Sequence, residues 1–213
     1  MYLCNPNNPT GVIVTKEEVK QLLDGIPKDM PVLIDEAYHH FVDDAKYATS
    51  VPYVIEGRPV IIARTFSKIA ALAAMRLGYG VAPAELIRKV RTFTTGSQSI
   101  TVKFGGAASL KDTAGQAKTR ALNKQIRDDT TAKLKALGYE VLPSEANFFM
   151  VGLKREVSDV APEFQKRDVL VGRPFPPMTQ HLRVSVGTQA EMDKFVAAFK
   201  EIMAAPAKTA AGV

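Results

Sequence analysis

The chain has 213 residues, with 28 lysines and arginines against 22 aspartates and glutamates for a formal charge of +6; 46% of it is apolar and 23% charged. That balance excludes a disordered chain, the single cysteine Cys4 excludes a disulfide scaffold, and no apolar run reaches the roughly 18 residues that span a bilayer. The basic residues are scattered, as in Lys154-Arg155 and Lys166-Arg167, rather than gathered on an arm, and no secretory leader pattern opens the chain; the expectation is a cytoplasmic protein with neither a nucleic-acid nor a membrane partner.

Thr15-Lys-Glu-Glu18 is a capping box, and Val19, Leu22, Leu23 and Ile26 follow at helical spacing. Pro31–Ile34 and Pro59–Ala63 are short solid apolar runs that suit strands buried on both faces, and Leu77–Val81 reads as a third strand. Ala84–Phe93 reads as a helix, so the region up to residue 112 has the layering of an α/β domain. Beyond it the pattern changes. A long helix is predicted over Gln116–Leu137, with Ala121, Leu122, Ile126, Leu134 and Leu137 on one side and Gly138 at its end. Strands are predicted at Glu140–Leu142, Asn147–Val151, Val169–Val171 and Leu182–Val186. Ser158 is the expected cap of a helix over Asp159–Arg167, and Thr188-Gln-Ala-Glu191 is a second capping box ahead of Met192, Phe195, Val196 and Phe199. Two units are expected, residues 1–112 and 113–203, with 204–213 a loose tail.

Four clusters carry chemistry, each where a strand ends or a turn begins, the place where open α/β sheets bind ligands. Asn5-Pro-Asn-Asn-Pro-Thr-Gly11 reads as a turn-rich loop. Asp35-Glu36-Ala37-Tyr38 offers a carboxylate and a phenol to one small ligand, or else a helix cap and a packing ring. Thr65-Phe-Ser-Lys68, with Arg76 farther on, offers an amine that desolvation makes nucleophilic, beside hydroxyls and a guanidinium suited to a phosphate; the plainer reading is a surface lysine that snorkels to water. Arg183, within His181-Leu-Arg-Val-Ser-Val-Gly-Thr188, stands in an apolar strand and needs an anion, either a structural carboxylate or a substrate carboxylate gripped by two hydrogen bonds. Arg173 lies in the loop before it, and His39-His40 with Asp43-Asp44 reads as a solvated loop rather than a metal site.

Together these clusters resemble the class I/II pyridoxal-phosphate (PLP) aminotransferases, and most closely their histidinol-phosphate aminotransferase-like branch. N-P-N-N-P-T-G, D-E-A-Y, T-F-S-K followed by A-L-A-A-M-R-L-G-Y-G, E-A-N-F-F and L-R-V-S-V-G-T stand in the family's order. The resemblance implies a truncated fold-type I transferase: a partial, mainly parallel sheet with helices, the remainder of the large PLP-binding domain, plus a C-terminal α+β small domain. It also implies roles. Lys68 holds PLP as a Schiff base and moves the proton, Asp35 pairs with the pyridine nitrogen, and Asn8 and Tyr38 hydrogen-bond the ring's O3′. Thr65, Ser67 and Arg76 take the phosphate. Arg183 takes the substrate's α-carboxylate, Asn147 faces the site, and Arg173 is placed for a substrate phosphate. The implied reaction moves an amino group between an amino acid and a 2-oxo acid, with histidinol phosphate and 2-oxoglutarate as one pairing.

The resemblance covers only the second half of the family. Missing are part of the sheet, a loop for the PLP phosphate, the ring that stacks on the cofactor and a tyrosine from the neighbouring subunit. Impaired turnover is therefore expected, as is a homodimer or another association that covers an exposed sheet edge. The rival readings are a non-catalytic fragment, one half of a split enzyme, other PLP chemistry such as decarboxylation, and a hydrolase suggested by Thr65-x-x-Lys68, which lacks the accompanying serine-hydrolase motifs.

Overall fold

A computed structural model describes residues 1–94 and 96–205. The tail expected over 204–213 lies outside the described residues from position 206 onward. The chain forms two compact units: residues 1–8 with 12–121, and residues 9–11 with 122–213.

The first unit is built on a four-stranded sheet in the order β1 (Tyr2–Cys4), β2 (Val32–Asp35), β3 (Val60–Thr65), β4 (Gly78–Val81). The first three strands run parallel, in a register that aligns Leu3, Ile34 and Ile62. The fourth is antiparallel, placing Val81 against Ile62. That row faces the core, where Val32, Ile34, Val60 and Ile62 pack with Val19 and Leu23 of α1 (Lys16–Asp24) and with Val51 and Val54 of α2 (Val51–Ile55). The sequence led to an expectation of strands buried on both faces, but only this face is fully covered: Leu33, between the buried Val32 and Ile34, is 37% exposed. Thr15 caps α1 in a full capping box with Glu18.

α3 (Ala84–Arg91) follows β4, and α4 (Ile100–Lys111) was not expected from sequence. Its Gly105-Gly106 pair and its lack of an apolar stripe hide it from a periodicity reading. Gly106 is nevertheless needed, because a Cβ there would lie 2.4 Å from Leu77 Cδ2 and 3.4 Å from the Phe66 ring. This close approach seats α4 directly behind the turn that follows β3.

α5 (Thr113–Ala136) begins in the first unit and continues in the second. The second unit adds the antiparallel pair β5 (Phe148–Gly152) and β6 (His181–Ser185), α6 (Val157–Gln165) and α7 (Gln189–Ala204). Its core gathers Phe149, Val151, Leu182 and Val184 from the sheet with Leu134, Val160, Phe164, Phe195 and Phe199 from the helices. The Phe164 and Phe195 rings stack at 5.4 Å, and Tyr139 meets Phe199 edge-on at 4.8 Å.

Several local expectations are corrected here. The buried side of α5 is Asn123, Ile126, Arg127, Thr130 and Leu134, while Leu122 and Leu137 are exposed. The polar members are held by local bonds: Asn123 and Arg127 both donate to the Ala146 carbonyl, and the Thr130 hydroxyl donates to the Ile126 carbonyl. Residues 140–142 form no strand, only a bridge between Val141 and Val151. Glu156, not Ser158, occupies the N-cap of α6, and no side chain caps it. Val169–Val171 is in no strand. Among the described residues, no helix is long and apolar enough to cross a membrane.

Gly11 belongs to the second unit and has φ +79°. The Glu145 amide donates to its carbonyl at 2.9 Å, and a Cβ on it would lie 2.1 Å from Ser144 Oγ. Gly11→Ala is therefore expected to cost about 3 kcal/mol, combining the left-handed penalty for a residue with a Cβ with a clash against Ser144. Urea unfolding measures this loss, and the Gly11→Ala, Ser144→Gly double variant should recover the steric part only.

Candidate active site

Because β1, β2 and β3 are parallel, their C-terminal ends lie at one end of the sheet, and the segments that follow Cys4, Asp35 and Thr65 all leave from there. Three of the four clusters read from sequence sit on these exits. The Asn5–Val14 loop is closed by the buried Asn5, whose side chain donates to the Val14 carbonyl and accepts from the Val14 amide, both at 2.9 Å. The Asn5 amide is bonded to the Asp35 carbonyl, tying this loop to the end of β2. Asn8 stands exposed on the loop. Cys4 is partly buried; its thiol donates to the Pro6 carbonyl at 3.3 Å, and burial pushes its pKa up.

Asp35 ends β2 with both carboxylate oxygens engaged. Oδ1 accepts the Ala37 amide and Oδ2 accepts the Tyr2 hydroxyl, each at 3.0 Å. The next carboxylate, Glu36, points the opposite way and is 1% exposed. Its Oε2 accepts two bonds from the Arg64 guanidinium, at 3.0 and 2.7 Å, and its Oε1 accepts the Ser50 amide at 2.7 Å. Adjacent residues of one strand end thus divide into a carboxylate on the sheet's uncovered face and a buried structural ion pair.

Tyr38 is buried, and the Lys68 ammonium lies 5.3 Å from its ring centroid. Lys68 is half-buried on a tight turn. The Phe66 amide donates to the Leu77 carbonyl, the Ser67 amide to Thr65 Oγ1, the Ala71 amide to the Lys68 carbonyl and the Leu72 amide to the Phe66 carbonyl. Thr65 and Ser67 are thus brought together. Arg76 is left-handed at φ +52° and exposed, and its Nη1 donates to the Ala73 carbonyl at 2.9 Å.

His39 and His40, expected in a solvated loop, are half-buried in a short 3₁₀ turn with ring centroids 3.7 Å apart. His39 Nε2 and His40 Nδ1 are buried and make no hydrogen bond among the described residues. Burial first, then the neighbouring imidazole and Arg64, push His39 down to about 2; burial and Arg64 push His40 down to about 4.

The second unit holds the remaining three candidates. Arg183, opposite Met150 in the sheet, places its guanidinium 4.0 Å from the Phe148 ring and 5.6 Å from the Phe175 ring. Arg173 is exposed, donates to the Pro174 carbonyl at 3.1 Å and lies 4.3 Å from the same Phe175 ring. Two guanidiniums therefore share one aromatic, which sequence spacing alone did not reveal. Asn147 precedes β5; its carbonyl accepts the Val186 amide at 2.9 Å, and its Oδ1 is buried with no hydrogen-bond partner among the described residues. Among those residues, no group of three or more metal-ligating side chains is present.

A family model for aminotransferase class I and II matches residues 1–199. A histidinol-phosphate aminotransferase of Moorella thermoacetica is 38% identical over 208 residues, covering 96% of this chain and 54% of that protein. The crystal structure of a histidinol-phosphate aminotransferase from Sinorhizobium meliloti in complex with pyridoxal-5'-phosphate superposes with a TM-score of 0.86 at 26% identity, covering 95% of this chain and 56% of that one. The L-threonine-O-3-phosphate decarboxylase of Porphyromonas gingivalis shares the fold, with a TM-score of 0.81 at 22% identity over 96% of this chain and 64% of its own. The chain spans just over half the length of the curated relatives it matches.

Proposed function

Because the chain belongs to the class I and II aminotransferases, we propose that it is the lysine- and carboxylate-binding part of a pyridoxal-phosphate transaminase that moves an amino group between an amino acid and a 2-oxo acid. The observation that carries this reading is the shared exit of β2 and β3, which brings a carboxylate, a phenol and an amine to one end of a parallel sheet, with the Lys68 ammonium over the Tyr38 ring. The donor set fits the cofactor: a primary amine for its aldehyde, a carboxylate for its ring nitrogen, and the hydroxyls of Thr65 and Ser67 for its phosphate. When bound, pyridoxal phosphate acts as an electron sink for charge developing at the substrate's α-carbon.

On this reading each side chain has one task. Asp35 holds a proton on the ring nitrogen, and the Tyr2 hydroxyl and the Ala37 amide fix its carboxylate. Lys68 Nζ accepts and returns the α-proton; the tight turn around it limits where that amine reaches. Asn8 and Tyr38 address the ring's phenolic oxygen, and Arg76 adds charge for the phosphate. In the second unit, Arg183 grips the substrate α-carboxylate, Asn147 Oδ1 accepts from the bound ligand, and Arg173 serves a substrate phosphate. Histidinol phosphate is the substrate that the names of the relatives support, and 2-oxoglutarate is the acceptor paired with it on this reading. A cytoplasmic homodimer goes with this reading.

Part of the phosphate cup and the stacking ring belong to the portion of the fold that this chain does not span. At roughly 1.5–3 kcal/mol for each charge-assisted hydrogen bond, the absence of two or three lowers cofactor affinity by orders of magnitude. We therefore place full turnover with the completed fold and cofactor capture with this chain.

Titration of the purified chain with pyridoxal phosphate tests this directly. The expected result is a visible absorbance band that borohydride fixes at Lys68, found by peptide mapping, and that is absent in Lys68→Ala. Label spread evenly over exposed lysines such as Lys28 and Lys103 would overturn it.

A further inference from the structure

Strand alternation sends Arg183 to the side of the β5–β6 pair that faces away from the core: its neighbours Leu182 and Val184 are core residues, and Arg183 stands opposite Met150. On that side its guanidinium lies 4.0 Å from the Phe148 ring and 5.6 Å from the Phe175 ring. Phe148 is fully buried in β5, whereas Phe175 arrives from the loop before β6. That loop is fastened to β6 at both ends. A Cβ on Gly172 would lie 2.8 Å from the Arg183 carbonyl, and the His181 amide donates to the Met178 carbonyl at 3.1 Å. Between these points the Met178 amide donates to the Phe175 carbonyl at 2.7 Å, and Pro174, Pro176 and Pro177 restrict the backbone on either side of the ring. The chain thus holds the Phe175 ring at a set place beside Arg183.

Arg173 completes the group. It is exposed, its guanidinium lies 4.3 Å from the Phe175 ring, and its Nη1 donates to the Pro174 carbonyl at 3.1 Å. Among the described residues, no carboxylate forms an ion pair with it. Both guanidiniums fall within the roughly 6 Å at which the face of a ring attracts a cation. Each also repels the other, since sharing the ring keeps them within the screening length, about 10 Å at 0.1 M salt. The ring offsets part of that repulsion, and an anion shared by the two guanidiniums would offset more.

The anion that gains most from two guanidiniums is a phosphate. A carboxylate has two oxygens and one charge, which a single guanidinium fork satisfies. A phosphate monoester has three terminal oxygens and close to two charges at neutral pH, which leaves an oxygen and a charge for a second fork. We propose that Phe175 is a positioning residue that sets phosphate specificity: its ring holds Arg173 beside Arg183, so that the second guanidinium strengthens the binding of a phosphate-bearing substrate and adds little for one that offers a carboxylate alone. This deepens the proposed function, resting on the anion roles given there to Arg173 and Arg183, and it involves neither the cofactor nor Lys68. Leucine at this position would fill the space without the negative face that the two cations share.

The experiment titrates the purified chain with methyl phosphate and, separately, with acetate, and follows the side-chain Nε–H signals of Arg173 and Arg183 by NMR. Reading these two signals separates the subsite from Thr65, Ser67 and Arg76, which also offer donors to the probe. The wild-type chain is expected to bind methyl phosphate at least about tenfold more tightly than acetate. Phe175→Leu should weaken methyl phosphate about fivefold and acetate less than about twofold. Phe175→Tyr keeps a ring face and should restore the preference; Phe175→Met serves in place of Phe175→Leu if that variant does not fold. Arg173→Gln should match Phe175→Leu, and the two together should cost no more than either alone, because the ring acts through that guanidinium. Equal weakening of both anions in Phe175→Leu would reduce the ring to a structural role and overturn the proposal. So would additive losses in the double variant, or a wild-type chain that shows no preference for phosphate or moves neither arginine signal. Failure of imine formation at Lys68 would leave these results untouched, and their failure would leave capture at Lys68 standing.

Discussion

Replacing Glu36 by alanine is expected to remove about 3–5 kcal/mol of unfolding free energy, because it strands a buried guanidinium. Glu36 is 1% exposed and Arg64 is 14% exposed at the side chain. The carboxylate accepts two bonds from Arg64 through one oxygen and the Ser50 amide through the other, while Thr49 Oγ1 lies within 3.1 Å of both. With the carboxylate gone, Arg64 keeps the Thr49 hydroxyl and a 3.4 Å contact to the Tyr79 hydroxyl, neither of which carries charge. The same guanidinium disfavours charge on the two neighbouring histidines. Glu36→Gln keeps the shape and loses the charge, and should fall about midway. The double variant Glu36→Leu, Arg64→Met removes both charges and should recover most of the loss, since a buried pair adds little over well-packed apolar side chains. Urea titration of the four proteins reads this cycle. A loss below about 1 kcal/mol in Glu36→Ala would place the pair with exposed ion pairs and refute the argument.

This pair shows which parts of the molecule were legible in the sequence. Signals confined to a few neighbouring residues were clear. The boxes at Thr15 and Thr188 cap helices as expected, because both partners of each reciprocal bond lie within one turn. The solid apolar runs became β2 and β3, with Val32, Ile34, Val60 and Ile62 buried on one face and Leu33 exposed on the other. What failed needed a partner distant in sequence. α4 depends on Gly106 accepting Leu77 and Phe66, and glycine in a helix reads as a breaker until that neighbour is known. The side of α5 that carries Asn123, Arg127 and Thr130 reads as solvent-facing until the Ala146 carbonyl is seen to receive two of them. Leu122 and Leu137, on the other side, then remain exposed.

The candidate site follows the same division. The residue types at Asp35, Tyr38, Thr65, Ser67 and Lys68 were visible because they sit on strand exits, whose position the apolar runs mark. The division of labour between Asp35 and Glu36 was not, because strand alternation assigns the two faces only once the covered face is known. Nor was the sharing of Phe175 by Arg173 and Arg183, which depends on how the loop folds back toward β6. Sequence placed His39 and His40 in a solvated loop because their spacing with Asp43 and Asp44 matches no established metal site. The structure tucks them beside Arg64, and that difference has a consequence for acid stability.

The protein is expected to lose stability between pH 7 and pH 5 from these two histidines, about 2 kcal/mol from His39 and less from His40, which is the less deeply buried. In the native chain His39 is held down to about 2 and His40 to about 4, with burial the main cause of both. In the unfolded chain each returns to an ordinary value near 6.5. Across this interval the unfolded state takes up protons that the native state refuses, so stability is full above about pH 7 and falls as the pH drops. The slope approaches 1.36 kcal/mol per pH unit for each ring. It ends for His40 near pH 4, where the native ring also begins to bind a proton, while the His39 contribution continues downward. His40→Gln should reduce the pH dependence between 7 and 5, His39→Gln should reduce it more, and His39→Gln, His40→Gln should flatten it whatever either variant does to stability at pH 7. Urea unfolding at half-unit pH steps reads the slopes directly. A wild-type slope that survives in the double variant would assign the acid sensitivity to other groups and show that the rings titrate normally in the native chain.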